Sequence, residues 1–267
     1  MIDFTTIGTE ENFLRPSKLD RLVVCTMQHA LDLEIDEEDV SGPAADTGSL
    51  VHSAVAEFHM SPSVDEGIAR AWAALTANAH KFPLSDSNEA RLFLKPYLED
   101  PRNLRAKVHA IERLVKLTLP PHETDPTGQP VVIQGTLDQI REEFGQLWVF
   151  DLKTGKPTGF DMIHAHTYQQ AAYTLAAAAE GFPVVGAKLI RNWSYRHRGA
   201  ALPSPEGVFL EMPFDLETAG ILLDRVRVAV ANLRAGKIEF GPGHACTFCR
   251  HGGLAACLPE ARRRFGF

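Results

Sequence analysis

An α/β fold, a mixed central sheet flanked by helices, is what this sequence predicts. Two observations point there. Before about residue 120 the apolar residues recur mostly at helical spacing. After it, strand-like runs rich in Val, Ile and aromatics alternate with an alanine-rich helix and a long amphipathic one, a succession that suits helices layered on a sheet. The 267 residues are 45% apolar and 23% charged, enough for a sizeable core without staples.

SKLDRLVVCTMQHALDL opens the chain's order. Leu19, Leu22, Val23, Met27 and Ala30 share a helix face, with Ser17 as the expected cap. TGSLVHSAVAEFHM, DEGIARAWAALTANA and NEARLFLKPYL read as further helices. PRNLRAKVHAIERLVKLTL reads as another, with a proline in its first turn and two beyond its end. PVVIQGTLDQIRE and QLWVFDLKTG read as neighbouring strands, joined by a hairpin over 142–146. IHAHTYQQAAYTLAAAAEG reads as a helix ended by Gly181. Strands VVGAKLIRNWSYR and GVFLEMPFD follow, then the helix DLETAGILLDRVRVAVANLRAG. The expected organisation is one integrated domain: a mostly helical N-terminal region over 1–120, a core over 121–238 and a cysteine-rich tail over 239–267.

Charge and hydropathy narrow the classes. No stretch reaches 18 apolar residues, and the start lacks a basic segment followed by an apolar run. A cytoplasmic protein with no membrane partner is expected. The net charge of -7 is uneven: residues 1–100 hold 7 basic and 18 acidic side chains, and residues 101–267 hold 20 and 16. A locally basic groove is therefore compatible with the total. GKPTG is not a phosphate-binding loop, so an ATPase lacks its main motif.

The chemistry concentrates in GTLDQIREEFGQLWVFDLKTGK. Strand alternation puts Asp151 and Lys153 on one face and Trp148, Phe150 and Leu152 on the other. Paired as a hairpin, the strands bring Asp138 toward Asp151. Two close carboxylates suit a divalent cation, Mg2+ or Mn2+, with the Leu152 carbonyl as a further oxygen ligand. Lys153 would then assist attack or offset charge on a phosphate. The same residues also fit a plain salt bridge at a strand end, and spacing does not choose.

GTLD and FDLKTGK resemble the two core motifs of the PD-(D/E)XK nuclease superfamily, and more narrowly its RecB-like branch, with Cas4- and AddB-type nucleases. The resemblance runs from Cys25 to Cys257. It implies a restriction-endonuclease-like sheet, metal binding by Asp138 and Asp151, and catalysis with Lys153. Gly48 and His52 match a G-x-x-x-H helix whose histidine coordinates metal; alone, His52 reads as an ordinary satisfied histidine. Gln169 and Tyr173 match a Q-x-x-x-Y motif facing the site and the DNA; alone, they read as a solvated glutamine and a half-buried tyrosine.

Cys246, Cys249 and Cys257 form C-x2-C-x7-C, with Cys25 far upstream. Four thiolates can hold zinc or an iron-sulfur cluster, with His29, His244 and His251 as reserve ligands. The resemblance favours a [4Fe-4S] cluster pinning the tail to the first helix, although the family commonly has about five residues before its last cysteine. The implied activity is a metal-dependent deoxyribonuclease, an exonuclease on single-stranded DNA ends in repair, recombination, phage DNA processing or CRISPR adaptation. A helicase, recombination or CRISPR adaptation protein is the expected partner. The rivals are a structure-specific endonuclease and a non-catalytic DNA-binding or assembly protein. Trp193, Tyr195 and Tyr97 read first as core packing, with base stacking as the alternative.

Overall fold

The computed structural model describes residues 3–34, 42–154, 166–192, 194–197, 200–203, 208–212 and 215–239, with 257, 259, 262 and 263 beyond them. The helices are α1 (Pro16–Val24), α2 (Thr26–Glu34), α3 (Pro43–His59), α4 (Val64–Ala77), α5 (Ser87–Glu99), the single turn α6 (Pro101–Leu104), α7 (Thr167–Ala179) and α8 (Leu216–Arg234). The strands are β1 (Lys107–Leu119), β2 (Val131–Glu143), β3 (Gln146–Thr154), β4 (Val184–Asn192), β5 (Ser194–His197), β6 (Ala200–Pro203) and β7 (Val208–Met212). Five of them form a sheet in the order β1-β2-β3-β4-β7, and β5 pairs with β6. Among the described neighbours in this sheet, β3 and β4 run parallel, joined by the crossover that contains α7, and the others are antiparallel. The sheet is therefore mixed, as the sequence predicts.

Alternation along the central strands feeds two cores. Val149 and Leu189 pack with Leu19 and Leu22 of α1, Ala171 of α7 and Val226 of α8. Their neighbours Phe150 and Ile190 pack on the opposite face with Leu50 and Ala54 of α3 and Phe93 and Leu94 of α5. Strands covered on both faces need apolar residues at every position, which explains the near-continuous runs in β3 and β4. Residues Phe144 and Gly145 take φ of 51° and 77°, as a tight hairpin between β2 and β3 requires. On the α5 side Arg141 is fully buried. Its guanidinium donates to Gln139 Oε1, Asn103 Oδ1 and Tyr97 OH and lies 4.7 Å from the Phe150 ring centroid. On the other side Arg234 and Asp125, both buried, pair at 2.6 Å, and Arg234 also donates to the carbonyls of Ile7, Gln129 and Pro130.

Three expectations need correction. The first helix is two: the chain turns at Cys25, whose φ and ψ of -154° and 95° are extended. That helix is entered at Arg15 with Pro16 in its first turn, and Ser17 caps nothing. The segment after Pro101 is helical for one turn only and then becomes β1, because β2 offers thirteen residues of hydrogen-bonding edge. Val115 and Leu117 are its buried alternate positions. Tyr97, by contrast, packs the core as its first reading expects: it is wholly buried, with its hydroxyl 2.7 Å from His59 Nε2, and has no face for a base. Trp193 and the side chain of Tyr195 lie outside the described residues. Among the described residues no helix is long and apolar enough to cross a membrane.

Cys257 is buried beside Met27 and Leu31, and Cys25 packs against the same small cluster. Residues far apart in the chain thus bring these two thiols into one neighbourhood. Cys246, Cys249, His244 and His251 lie outside the described residues.

Candidate metal centre

The site forms where three elements meet beside the β2-β3 hairpin. On β2, odd-numbered residues up to Leu137 enter the core under α1 and α7, but Ile140 enters that core further on. The side-chain alternation therefore slips near Asp138, although the β1-β2 register runs unbroken across it from Ala110↔Ile140 to Leu119↔Val131. Pairing with β3 stops at Gln139↔Phe150. There Asp138 Oδ2 takes over as acceptor, 2.6 Å from the Leu152 N–H. On β1, Glu112 sits between the Ile111↔Gln139 and Arg113↔Leu137 pairs, which places it opposite Asp138. Its φ of 43° is left-handed, an unusual conformation for a non-glycine residue.

Helix α3 supplies the third group. Its Gly48 lies so near the end of β3 that a Cβ would stand 2.9 Å from Thr154 Oγ1. A bare Cα lets the helix approach, and His52, one turn on, reaches the strands. His52 Nδ1 is 3.2 Å from Asp138 Oδ1 and 3.8 Å from Glu112 Oε1. One donor atom from each of His52, Glu112 and Asp138 falls within 4.8 Å of the others. Burial pulls the His52 imidazole down, but the two carboxylates outweigh it and push its pKa up to about 10. Burial also acts to raise Asp138, yet His52, Lys153 and the Leu152 N–H together hold it below the usual carboxylate range. The cluster thus demands a positive charge at its centre.

Asp151 stands beside this cluster without joining it at that distance. It is 2% exposed. Lys153 Nζ lies 3.0 Å from Oδ1 and 2.8 Å from Oδ2, but only the Oδ1 contact is aligned as a hydrogen bond, so Oδ2 is buried without a donor. Gln169 Nε2 also donates to Oδ1, at 3.3 Å. Burial pushes the Asp151 carboxyl up, and the nearby Asp138 charge adds to that, against the pull of Lys153. A buried carboxylate oxygen held by an ion pair but by no aligned hydrogen bond, next to a His-Glu-Asp cluster, is the donor set a hard divalent cation prefers. The residues present fit such an ion.

Two further positions matter. Gly135, of the GTLD segment, faces α1: a Cβ there would stand 2.7 Å from Pro16 Cδ. That close approach seats α1, and Asp20 on α1 reaches 148 residues along the chain to accept hydrogen bonds from the N–H groups of Tyr168 and Gln169, at 3.2 and 3.4 Å. Those groups open α7, whose own cap position, His166, offers no side-chain bond to the backbone. Burial pushes the Asp20 carboxyl up to about 7 despite these bonds. Asp20 therefore positions the turn that carries Gln169.

Of the residues the sequence singles out, His52, Asp138, Leu152 and Lys153 converge, and Asp151 and Gln169 adjoin them. Tyr173 adjoins them as well: its hydroxyl donates to the Thr136 carbonyl at 2.8 Å and is hydrogen-bonded with Gln169, and burial together with the Asp151, Asp138 and Glu112 charges pushes its pKa up. It also lines a separate hollow. Sequence reading missed Glu112, His166 and Asp20. His52, Glu112, Leu152, Lys153 and His166 line an open cleft of about 1030 Å³, with Arg21 on its rim.

A crystal structure from Eubacterium rectale, of a protein that carries the provisional name of exonuclease, superposes with a TM-score of 0.53 at 12% identity, over 95% of this chain and 94% of that one. At that identity the likeness concerns the fold. A second solved structure, SSO0001, matches with a TM-score of 0.34 and 15% identity, over 86% of this chain and 92% of that one. A comparison with curated proteins gives no match. The family model of the PD-(D/E)XK nucleases matches residues 14–254, a span that holds both carboxylate strands, the His52 helix and nearly all of the described fold, and the chain belongs to the PD-(D/E)XK nuclease superfamily.

Proposed function

We propose that this protein is a Mg2+- or Mn2+-dependent deoxyribonuclease of the RecB-like branch, acting as an exonuclease on single-stranded DNA ends. The observation that carries this is the His52-Glu112-Asp138 cluster, open to a cleft and flanked by the Asp151-Lys153 pair. His52, Glu112, Asp138 and Asp151 would hold the cation, with the Leu152 carbonyl as a further ligand, and the ion would polarise the phosphodiester and acidify the attacking water. Lys153 lies against Asp151 and would offer positive charge where the phosphate becomes more negative. Gln169 holds Asp151 in register from α7. Tyr173 belongs to the same helix and fixes it to β2 through Thr136.

The same proposal assigns Cys25, Cys246, Cys249 and Cys257 to a [4Fe-4S] cluster, with zinc as the alternative. The shared neighbourhood of Cys25 and Cys257 supports it. Its role is structural, tying the tail to the α1-α2 junction. Anaerobically prepared protein should absorb broadly in the visible and contain iron. Zinc with no iron would overturn the cluster and spare the nuclease.

The deciding experiment for the activity uses 5'- and 3'-labelled linear DNA and circular single strands, with and without Mn2+. Release of mononucleotides from linear ends, with the circle intact, supports an exonuclease. Cutting of the circle makes it an endonuclease. No cleavage under any metal leaves a non-catalytic DNA-binding or assembly role.

A further inference from the structure

We propose that a second hollow, bounded by Phe13, Ser17, Leu114, Gln134 and Tyr173, is a subsite for the nucleotide adjoining the scissile phosphate, taking its base against Phe13 and Leu114. The inference rests on the nuclease reading and adds to it where the strand lies. The hollow has a volume of about 280 Å³. Gly135 and Pro16 also line it, so the close approach of α1 to β2 builds its wall.

Position is the first argument. Leu114 pairs with Thr136 on the neighbouring strand, and both line the hollow. Glu112 and Asp138 of the metal cluster stand two residues away along the same two strands. Two residues of strand span about 7 Å, one step of an extended nucleic-acid chain. The second argument is continuity. Ser17 lines the hollow and Arg21 lines the catalytic cleft, and both are exposed residues of α1. Four residues apart, they lie on one helix face. One exposed face of α1 thus borders both the cleft and the hollow.

Chemistry is the third argument. Leu114 is 61% exposed and Phe13 37%, and both line the same hollow. They offer a face for a base of any identity. Ser17, Gln134 and Thr136 offer hydrogen bonds, and the described lining includes Arg15 and no carboxylate. That balance accepts a polyanion. Tyr173, which adjoins the metal cluster through Gln169, also forms part of this second wall.

The test is Leu114→Glu in the full chain. Leu114 is exposed, so the variant keeps its fold, which circular dichroism and the unfolding midpoint verify. Affinity for a fluorescent dT oligonucleotide is read by anisotropy, with Ca2+ in place of Mn2+ to limit cutting. The variant should bind about tenfold more weakly. An abasic strand of equal length should bind wild-type protein about as weakly as the variant binds dT. Leu114→Glu within twofold of wild type on dT, in a preparation whose wild type cuts DNA, would overturn the subsite alone. Wild-type protein that neither binds nor cuts DNA would overturn the nuclease reading and the subsite with it.

Discussion

Adding one methyl group at Gly135 tests how the fold positions the site. In Gly135→Ala the new Cβ would stand 2.7 Å from Pro16 Cδ and 2.9 Å from Pro16 Cγ. Pro16 is a rigid ring in the first turn of α1. It cannot rotate away as a long side chain would, so the start of α1 must retreat by a few tenths of an ångström. Leu19 and Leu22 of that helix are fully buried, and a close-packed core resists such a shift. Overpacking of this kind costs about 1–3 kcal/mol, a fall in Tm of roughly 3–10 °C for a chain of this size. The displacement also reaches the site. Asp20 holds the Tyr168 and Gln169 N–H groups at 3.2 and 3.4 Å, the long end of the hydrogen-bond range. A small retreat of α1 breaks them and loosens Gln169, the residue that holds Asp151. Urea unfolding and single-turnover DNA cleavage read both effects, and cleavage should slow by about tenfold. A variant as stable and as active as wild type would show that α1 is not seated by this contact and that Asp20 does not position α7.

Two further perturbations probe buried charge. Arg234→Met leaves the Asp125 carboxylate buried without its partner and frees the carbonyls of Ile7, Gln129 and Pro130. It should cost about 3–5 kcal/mol in denaturant unfolding, and a loss below about 1 kcal/mol would contradict the pairing. Asp20 carries a pH dependence: its pKa is 3.8 in an ordinary setting and about 7 in the fold. From about pH 4 to 7 the folded state therefore holds a proton that the unfolded chain has released, and stability falls as pH rises, by at most about 1.4 kcal/mol per unit. Asp20→Asn removes that contribution, so wild type should lose on the order of 2–4 kcal/mol relative to the variant across this window. A difference independent of pH would show that Asp20 titrates normally.

How much the sequence reveals differs by element, and the reasons are physical. Asp138, Asp151 and Lys153 were legible because the hairpin is local and alternation fixes their faces. His52 was legible only through the resemblance of Gly48 and His52 to a G-x-x-x-H helix; its own setting reads as an ordinary satisfied histidine. Glu112 was not. Val108, Ile111, Val115 and Thr118 recur at helical spacing, and only pairing with β2 makes the segment a strand. Reading it as a helix hid the one acidic residue that lies opposite Asp138. The later alternation of Val115 and Leu117 was the available signal. Asp20 was out of reach for another reason. Its partners are backbone groups 148 residues away, and no local pattern announces a cap supplied from another helix. The break at Cys25 separates two segments that share one apolar period, which periodicity alone merges.

The central claim is that β1, β2 and α3 together build a metal centre, and its most direct test is Mn2+ binding to wild type and Glu112→Gln, measured by calorimetry. Glu112 is contributed by the fold and by no recognised motif, and glutamine keeps its shape while removing its charge. The account predicts folded variant protein that binds Mn2+ at least tenfold more weakly and loses DNA cleavage in proportion. An unchanged binding isotherm would place the cation elsewhere and contradict the centre formed by His52, Glu112 and Asp138.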